Sequence, residues 1–382
     1  MIPYSHQSIN QEDIDSVTDV LRSEFLTQGP VGPMFEKMVA ERVKVSHAVA
    51  VNSATSALHI SCLALGLGPG DLLWTSPNSF VASANCGLYC GAEVDFVDID
   101  PQTYNICPIS LLAKLEVAES QARLPKIVVP VHFAGQSCDM DTIYSLGQRF
   151  GFKIIEDASH GFGGAYRGSP VGNCGYSDIT IFSFHAIKLI TTGEGGMALT
   201  NDSSLADKMT RLRSHGIARQ AKDMLRNAPE RWYYEQRDLG FNYRMTDIAA
   251  ALGASQIQRL QEFISRRREI VEIYNVELEG LPLVLPWQHP ATKSAWHLYV
   301  VQSENFVEKL KLFEHLRMNN ISANVHYIPV HTQPYYQSMG FKHGDFPEAE
   351  SYYERALSLP IYPGLTTADQ SSVLDAVSKN FL

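Results

Sequence analysis

Lys188 lies in the run Phe182-Ser183-Phe184-His185-Ala186-Ile187-Lys188-Leu189-Ile190-Thr191-Thr192-Gly193-Glu194-Gly195-Gly196, directly ahead of a glycine-rich turn. Most lysines are exposed and merely solvated. A lysine held among apolar neighbours is different, because desolvation disfavours the ammonium form, lowers the pKa and frees the amine to attack carbonyls and aldehydes. Apolar neighbours alone do not make a catalyst. What matters is which other groups the fold brings to the same place.

Two further stretches carry suitable chemistry. Asn52-Ser53-Ala54-Thr55-Ser56-Ala57 opens a helix with small and hydroxyl residues. The free N–H groups and dipole of such a start suit a phosphate, although Ser and Thr also cap many helices for structural reasons alone. Ile154-Ile155-Glu156-Asp157-Ala158-Ser159-His160 is an apolar strand that delivers two carboxylates and then a histidine. A buried Asp157 needs a cationic partner there, and a protonated pyridine nitrogen is one; the pair makes the ring a better electron sink. Taken singly, a helix-capping Asp is the plainer account of that residue. Ser183, shortly before Lys188, adds a hydroxyl that helps to hold phosphate. A phosphate cradle, an Asp for a pyridine nitrogen and a lysine for an aldehyde together describe pyridoxal 5′-phosphate (PLP).

The elements that must position these groups follow from the hydrophobic period. Short β-branched runs at 48–51, 72–75, 94–97, 127–131, 153–156, 179–182 and 197–200 alternate with helical stretches at 55–65, 79–90, 108–119, 140–150 and 205–214. That alternation gives a mostly parallel sheet with helices on both faces. Ligands of such sheets bind beyond the carboxyl ends of the strands, where Asn52, Asp157 and Ser183 fall. Gly66, Gly68 and Pro69-Gly70-Asp71 stop the first helix. One long helix is expected from Thr246 to Leu278, ended by Gly280 and Pro282. It leads into a smaller α+β region with a strand at 298–301, a helix at 304–317 and helices after Pro347 and Thr366.

With 382 residues, 45% hydrophobic and 19% charged, the chain can bury a large core, and one large domain plus a smaller one is expected. A net charge of −10 speaks against nucleic acid or an anionic membrane surface as partner. Met1-Ile2-Pro3-Tyr4 lacks the charged-then-apolar pattern of a secretion signal, and no apolar run is long enough to cross a bilayer, so a soluble cytoplasmic protein is expected. The six cysteines form no CxxC pair or zinc-type cluster, which fits reduced thiols and no metal site. Cys86 and Cys90 could share one helix face, where core packing is the expectation. Arg219, Lys222, Arg226, Arg231 and Arg237 crowd one loop, where solvation is favoured over neutralising a diphosphate.

These stretches, with Asn52-Ser53-Ala54-Thr55-Ser56-Ala57-Leu58, Gly193-Glu194-Gly195-Gly196, Gly240-Phe241-Asn242-Tyr243-Arg244-Met245 and His326-Tyr327-Ile328-Pro329-Val330-His331, resemble the DegT/DnrJ/EryC1/StrS family of sugar aminotransferases nearly end to end. The resemblance implies an α/β fold of the aspartate-aminotransferase kind, fold type I among PLP-dependent transferases. Its mostly parallel seven-stranded sheet would occupy a large cofactor-binding domain at 12–245, after an N-terminal arm at 1–11. A linking helix and a small C-terminal α+β domain would fill 246–382.

The same resemblance implies roles. Lys188 condenses with the cofactor aldehyde and later moves a proton between the donor α-carbon and the cofactor. Asp157 pairs with the pyridine nitrogen, the Thr55 and Ser56 amides and the Ser183 hydroxyl bind phosphate, Phe80 stacks on the ring, and His160 approaches its phenolic oxygen. Asn242 reaches the phosphate in the neighbouring subunit, which implies an obligate homodimer with shared sites. The stretch from His326 to Tyr336 offers aromatic and imidazole groups without a basic cluster. His326, Tyr327, His331, Tyr335 and Tyr4 are therefore expected to contact a sugar nucleotide, the plainer alternative being a prolyl loop packed by tyrosines.

The stretches at 78–85, 94–100 and 184–192 are most similar to the branch of pseudaminic acid biosynthesis. That similarity implies a UDP-linked 4-keto-6-deoxy-N-acetylhexosamine as acceptor and L-glutamate as donor. Another keto-sugar nucleotide, dTDP-linked or 3-keto, stays open, as does a non-catalytic scaffold. In the best-known PLP-dependent sugar dehydratases histidine replaces the lysine, so Lys188 argues against that branch.

Overall fold

The computed structural model describes residues 1–219, 224–226 and 230–381. Lys222 of the arginine-rich loop lies outside them. Val49 and Val51, Ile127 to Val129, Ile154 and Ile155, and Ile179, Ile181 and Phe182 are all buried, as in strands covered on both faces. They belong to β1 (His47–Val51), β2 (Leu72–Thr75), β3 (Glu93–Phe96), β4 (Ile127–Val129), β5 (Lys153–Asp157), β6 (Ile179–Ser183) and β7 (Gly196–Thr200). The seven strands form one sheet in the order β1-β7-β6-β5-β4-β2-β3. The run from β6 to β3 is parallel, while β7 is antiparallel to both β6 and β1. The mostly parallel sheet expected from the sequence is thus present, with the seven strands expected between 48 and 200 in it.

Helices Ala54–Ala64, Ala82–Tyr89, Pro108–Ser120, Met140–Phe150 and Ser203–Arg213 fill the intervals. The second starts at Ala82 and not near 79, because Ser79 turns its hydroxyl to the Phe80 carbonyl (3.0 Å) and to Ser83 Oγ (2.7 Å), local bonds that compete with a first helical turn.

The long helix expected from 246 to 278 is broken. Asp247–Gln256 passes through a 3₁₀ turn, Ile257–Arg259, into Leu260–Glu277. At the break, Arg259 Nη2 meets the buried carboxylate of Asp13 (2.5 Å) and the Ser8 carbonyl (3.1 Å), and Gln256 Nε2 reaches the same two acceptors at 2.6 and 2.8 Å. The N-terminal arm is pinned there. It continues between two parts of the chain: Ile2 bridges Ile321, Ile361 N donates to the Tyr4 carbonyl (3.0 Å), and Ser5 Oγ donates to the Ile187 carbonyl (3.3 Å), the residue before Lys188.

Toward the C-terminus, strands Tyr299–Gln302 and Ala356–Leu359 pair antiparallel, with helices Phe306–Met318, Pro347–Arg355 and Thr367–Lys379 beside them. Ala84, Phe96 and Phe133 share one apolar cluster with Leu298, Val330, Tyr336 and Tyr352, so the two regions close on a common wall.

Gly196 sits where β7 meets both neighbours, opposite Val51 and opposite Ser183. A Cβ there would fall 2.4 Å from the Ala54 nitrogen and 2.6 Å from the Ser53 carbonyl oxygen. These are backbone atoms that cannot swing aside. Gly196→Ala is therefore expected to cost about 2 kcal/mol or more by overpacking and to displace the start of the Ala54–Ala64 helix. Denaturant unfolding beside the parent protein measures it, and unchanged stability would contradict this account.

Candidate active site

Successive side chains of a strand point to opposite faces, which separates the two carboxylates of β5. Glu156 faces a buried polar pocket, with Oε2 2.7 Å from His132 Nε2 and Oε1 accepting from Ser177 Oγ (2.5 Å) and Thr180 Oγ1 (3.3 Å). Burial alone would raise its pKa, but His132 and the hydroxyls hold it below the ordinary carboxylate range. Glu156 is thereby committed to structure. Asp157 faces the other way, 5% exposed, its Oδ2 accepting from Ser83 Oγ (2.6 Å) and its Oδ1 from the Ser159 N–H (3.1 Å). These bonds fix the carboxylate plane.

Lys188 is carried by the loop after β6. Phe184 N donates to the Gly195 carbonyl, Thr192 N to the Phe184 carbonyl, and Lys188 N closes a turn onto the His185 carbonyl, each at 2.9 Å. Phe184, Leu189 and Ile190 bury the loop's apolar side. Desolvation lowers the Lys188 pKa to about 8 against the opposing pull of Asp157. The expected amine thus exists, and it feels the expected carboxylate.

Around this pair stands a group of uncharged rings. His160 Nε2 lies 3.2 Å from the Tyr327 hydroxyl, and the two rings are stacked. His297 packs on His160 with ring centroids 4.3 Å apart. His326 has its Nδ1 2.8 Å from Ser358 Oγ and its ring 5.5 Å from that of Tyr4. Burial is the first cause of the depressed pKa of each imidazole, with Lys188 adding to it; His326 falls to about 3. Burial raises the Tyr327 and Tyr4 phenols. Tyr327 is placed by its N–H to Asn78 Oδ1 (3.3 Å) and by Phe80, whose ring is 6.3 Å away and 60% exposed.

Lys188, Asp157, His160, Tyr4, His326 and Tyr327 are therefore brought together, with Phe80 at the rim. Ser183 ends β6, 9% exposed, its Oγ accepting weakly from His185 N (3.4 Å). At the Ala54–Ala64 helix the geometry differs from expectation. Ser53 caps it and accepts from the Ser56 N–H at 3.1 Å, while Ser56 Oγ donates to Asn52 Oδ1 at 2.7 Å. The Ser56 amide is engaged by the cap, leaving Ala54 and Thr55 as the first-turn donors. Asn242 is exposed, on a segment bridged to Ser214.

Two expected substrate contacts are corrected. The His331 ring is fully buried between Phe96 and Phe346, with Nε2 2.8 Å from Glu350; it is a core side chain, because the 3₁₀ turn Val330–Thr332 directs it inward. Tyr335, 62% exposed, packs on Tyr336 and not on the Lys188 group.

Ser83 and His297 were not singled out from sequence. Ser83 is a small residue on a helix, and His297 precedes a strand, beside an aromatic residue. Arg267, 1% exposed, holds His297 in place by donating from Nη1 to the carbonyls of Trp296 (3.1 Å), His297 (3.1 Å) and Ile361 (3.0 Å).

The residues present fit PLP. His160 Nδ1 is buried without a hydrogen-bond partner among the described residues. In the tautomer in which Nε2 accepts from the Tyr327 hydroxyl, Nδ1 carries the proton and can donate it to a phenolic oxygen. Gly196 keeps the helix start free of a Cβ, Asp157 is fixed for a cationic ring nitrogen, and Lys188 is an amine of low proton affinity.

The DegT/DnrJ/EryC1/StrS aminotransferase family model matches residues 7–378. The chain is 43% identical to the Bacillus subtilis spore coat polysaccharide biosynthesis protein SpsC over 98% of this chain and 96% of that one. It is 37% identical to the UDP-4-amino-4,6-dideoxy-N-acetyl-β-L-altrosamine transaminase of Campylobacter jejuni, over 99% and 96% of the two chains. Among solved structures it superposes on Helicobacter pylori PseC, an aminotransferase involved in the biosynthesis of pseudoaminic acid, with a TM-score of 0.90 and 32% identity, covering 100% and 99% of the chains.

Because its pKa lies below that of an ordinary lysine, Lys188 becomes a free amine as pH rises through about 8 in protein freed of cofactor, while exposed lysines remain ammonium until about 10.4. Reductive methylation followed by peptide mapping across pH is expected to label Lys188 with a midpoint near that value. A midpoint shared with the surface lysines would refute the desolvated amine.

Proposed function

This chain belongs to the DegT/DnrJ/EryC1/StrS aminotransferase family, and on that footing we propose that it transfers the amino group of L-glutamate to C4 of a UDP-linked 4-keto-6-deoxy-N-acetylhexosamine in pseudaminic acid biosynthesis. It is a PLP-dependent aminotransferase of fold type I. The observation that carries the finer reading is the 37% identity, across nearly the whole chain, to a transaminase named for that sugar. The 43% identity to SpsC favours, as a second reading, another keto-sugar nucleotide used in polysaccharide synthesis.

When bound, PLP supplies an aldehyde that takes up the amino group and a ring that spreads the electron pair left on the donor α-carbon. The chain's own groups do the rest. Lys188 would accept the α-proton and return it to the cofactor carbon on the other side of the transferred nitrogen, work suited to an amine whose pKa burial lowers to about 8. Asp157, held by Ser83 and Ser159, keeps a negative oxygen at the ring nitrogen. Ser183 and the first-turn amides at Thr55 and Ser56 hold the phosphate, the Ser56 amide being shared with its cap. His160 donates to the phenolic oxygen and Phe80 covers the ring. Tyr4, His326 and Tyr327 meet the sugar through neutral hydrogen-bonding edges.

In this reading the working unit is a cytoplasmic homodimer, in which the exposed Asn242 reaches the phosphate site of the other copy. Residues 1–11 act as an arm, 12–245 as the cofactor domain and 246–382 as the smaller domain. Among the described residues no helix is long and apolar enough to cross a membrane.

Lys188→Ala is expected to keep the parent far-UV dichroism and unfolding midpoint while turnover falls by about 10⁴-fold or more, since bond formation and proton transfer go together; near-parental activity would sink the assignment. For the acceptor, the protein is offered glutamate and matched UDP- and dTDP-linked 4-keto and 3-keto sugars. The 4-amino product of the UDP-linked 4-keto-6-deoxy-N-acetyl sugar should form at the highest kcat/KM, as identified by mass and NMR. A preference for a dTDP-linked or 3-keto sugar would replace the proposed substrate and leave the reaction class intact.

A further inference from the structure

Arg267, on the Leu260–Glu277 helix, is a buried cation with no carboxylate paired to it among the described residues. A charge in such a place is costly unless it is well bonded. Burial pulls its pKa down to about 9, which still leaves a cation at neutral pH. What it meets are backbone carbonyls of two separate segments: Nη1 donates to those of Trp296 and His297, each at 3.1 Å, and to that of Ile361 at 3.0 Å. One nitrogen thus ties residues 296 and 297 to residue 361.

The two segments back different walls of the site. His297 packs on His160, with ring centroids 4.3 Å apart. Ile361 N donates to the Tyr4 carbonyl at 3.0 Å, and the Tyr4 ring stands 5.5 Å from that of His326, in the wall proposed to meet the sugar. The segment before His297 has anchors of its own: Ala295 N donates to the Gly135 carbonyl and Trp296 N to Ser294 Oγ, each at 3.0 Å. It also lies close on Gly135, where a Cβ would fall 2.9 Å from Trp296 N and 3.1 Å from His297 N. Next to Ile361, the Tyr274 hydroxyl donates to the Pro360 carbonyl at 2.8 Å, which fixes that stretch to the helix but not to residues 296 and 297. Arg267 sets one wall against the other.

We propose that Arg267 is a positioning residue for the acceptor half of the reaction, setting Tyr4 against the keto sugar through Ile361 and in register with the wall that carries His297. This rests on the reading of Tyr4 as a sugar contact. An uncharged side chain discriminates by position, so a small displacement of Tyr4 weakens the fit. The donor half draws on Lys188, Asp157 and His160, and the segment behind His160 keeps its hold on Gly135. A lysine at 267 would keep the charge but put it on a flexible stem without the planar fork, and restores the function in part.

The test compares the PLP-loaded parent chain with Arg267→Met, Arg267→Lys and Tyr274→Phe, using the keto sugar of highest kcat/KM in the panel above. Arg267→Met is expected to raise the acceptor KM about tenfold, Arg267→Lys by less and Tyr274→Phe by less than about twofold, while single-turnover conversion of the cofactor by glutamate changes less than about threefold. Amide hydrogen exchange, followed with and without PLP, should run about tenfold faster in peptides covering 1–8 and 359–363 of Arg267→Met. Because KM does not depend on the folded fraction, a variant that folds poorly still reports. Unchanged exchange in the arm, an equal loss in both half-reactions, or an equal effect of Tyr274→Phe would overturn the proposal. Tyr4→Ala separates its failure from that of the reading beneath it. An acceptor KM unmoved by Tyr4→Ala overturns both, whereas a KM raised by Tyr4→Ala and unmoved by Arg267→Met overturns the role of Arg267 alone.

Discussion

Withholding water from one amine, without allowing a carboxylate to lock it as ammonium, is the constraint on which the other features of the site depend. Asp157 pulls the Lys188 proton affinity up and burial pulls it down, and burial wins. That outcome requires Asp157 to be engaged elsewhere. Ser83 Oγ and the Ser159 N–H occupy its two oxygens, so its charge is partly spent before the amine feels it. The same exclusion of water keeps His160, His297 and His326 neutral. Charged imidazoles would compete with the cofactor's ring nitrogen for Asp157; neutral ones offer hydrogen-bonding edges.

A sheet with strands buried on both faces is a direct way to build such a place. Adjacent residues of β5 serve opposite purposes: Glu156 is sealed in a net with His132, Ser177 and Thr180, while Asp157 emerges on the other face at the strand end. Leaving one partner of a buried hydrogen-bond net unsatisfied is costly, so the net makes the position of Asp157 rigid. Gly196 contributes by what it lacks. Without a Cβ, β7 can lie against Ser53 and Ala54, bringing the helix start and Ser183 to one wall.

The residues legible in the sequence are those whose meaning is local. Apolar runs gave the strands, and the residues at their ends, Asp157, Ser183 and Lys188, fell where a parallel sheet collects its ligands. Contacts between distant segments were not legible. Ser83 is recognisable as an Asp157 donor, and His297 as a neighbour of His160, once the chain is folded. His331 and Tyr335 show the reverse error: the composition of the 326–336 stretch suggested a binding loop, but composition does not say which way a ring points, and the Val330–Thr332 turn sets His331 in the core, where it meets Glu350. The broken helix at Ile257–Arg259 has the same origin, since the hydrophobic period continues through it and the break coincides with the meeting of Arg259 and Asp13 from the opposite end of the chain.

Recognition and chemistry are divided in such a site, on the reading that a sugar nucleotide is the acceptor. Tyr4, His326 and Tyr327 carry no charge to attract a substrate, so they discriminate by the positions of hydroxyl and carbonyl groups, where a wrongly placed polar group leaves a buried partner unpaired. The affinity for an anionic nucleotide must then be supplied away from Lys188. That separation protects the amine: a cation recruited to the diphosphate and placed next to Lys188 would depress its proton affinity further, and an added carboxylate would raise it again. The N-terminal arm joins the two functions, since Tyr4 packs on His326 while the adjoining Ser5 is bonded to the carbonyl that precedes Lys188. A sugar that displaced Tyr4 would therefore act through one residue on the loop that carries the amine.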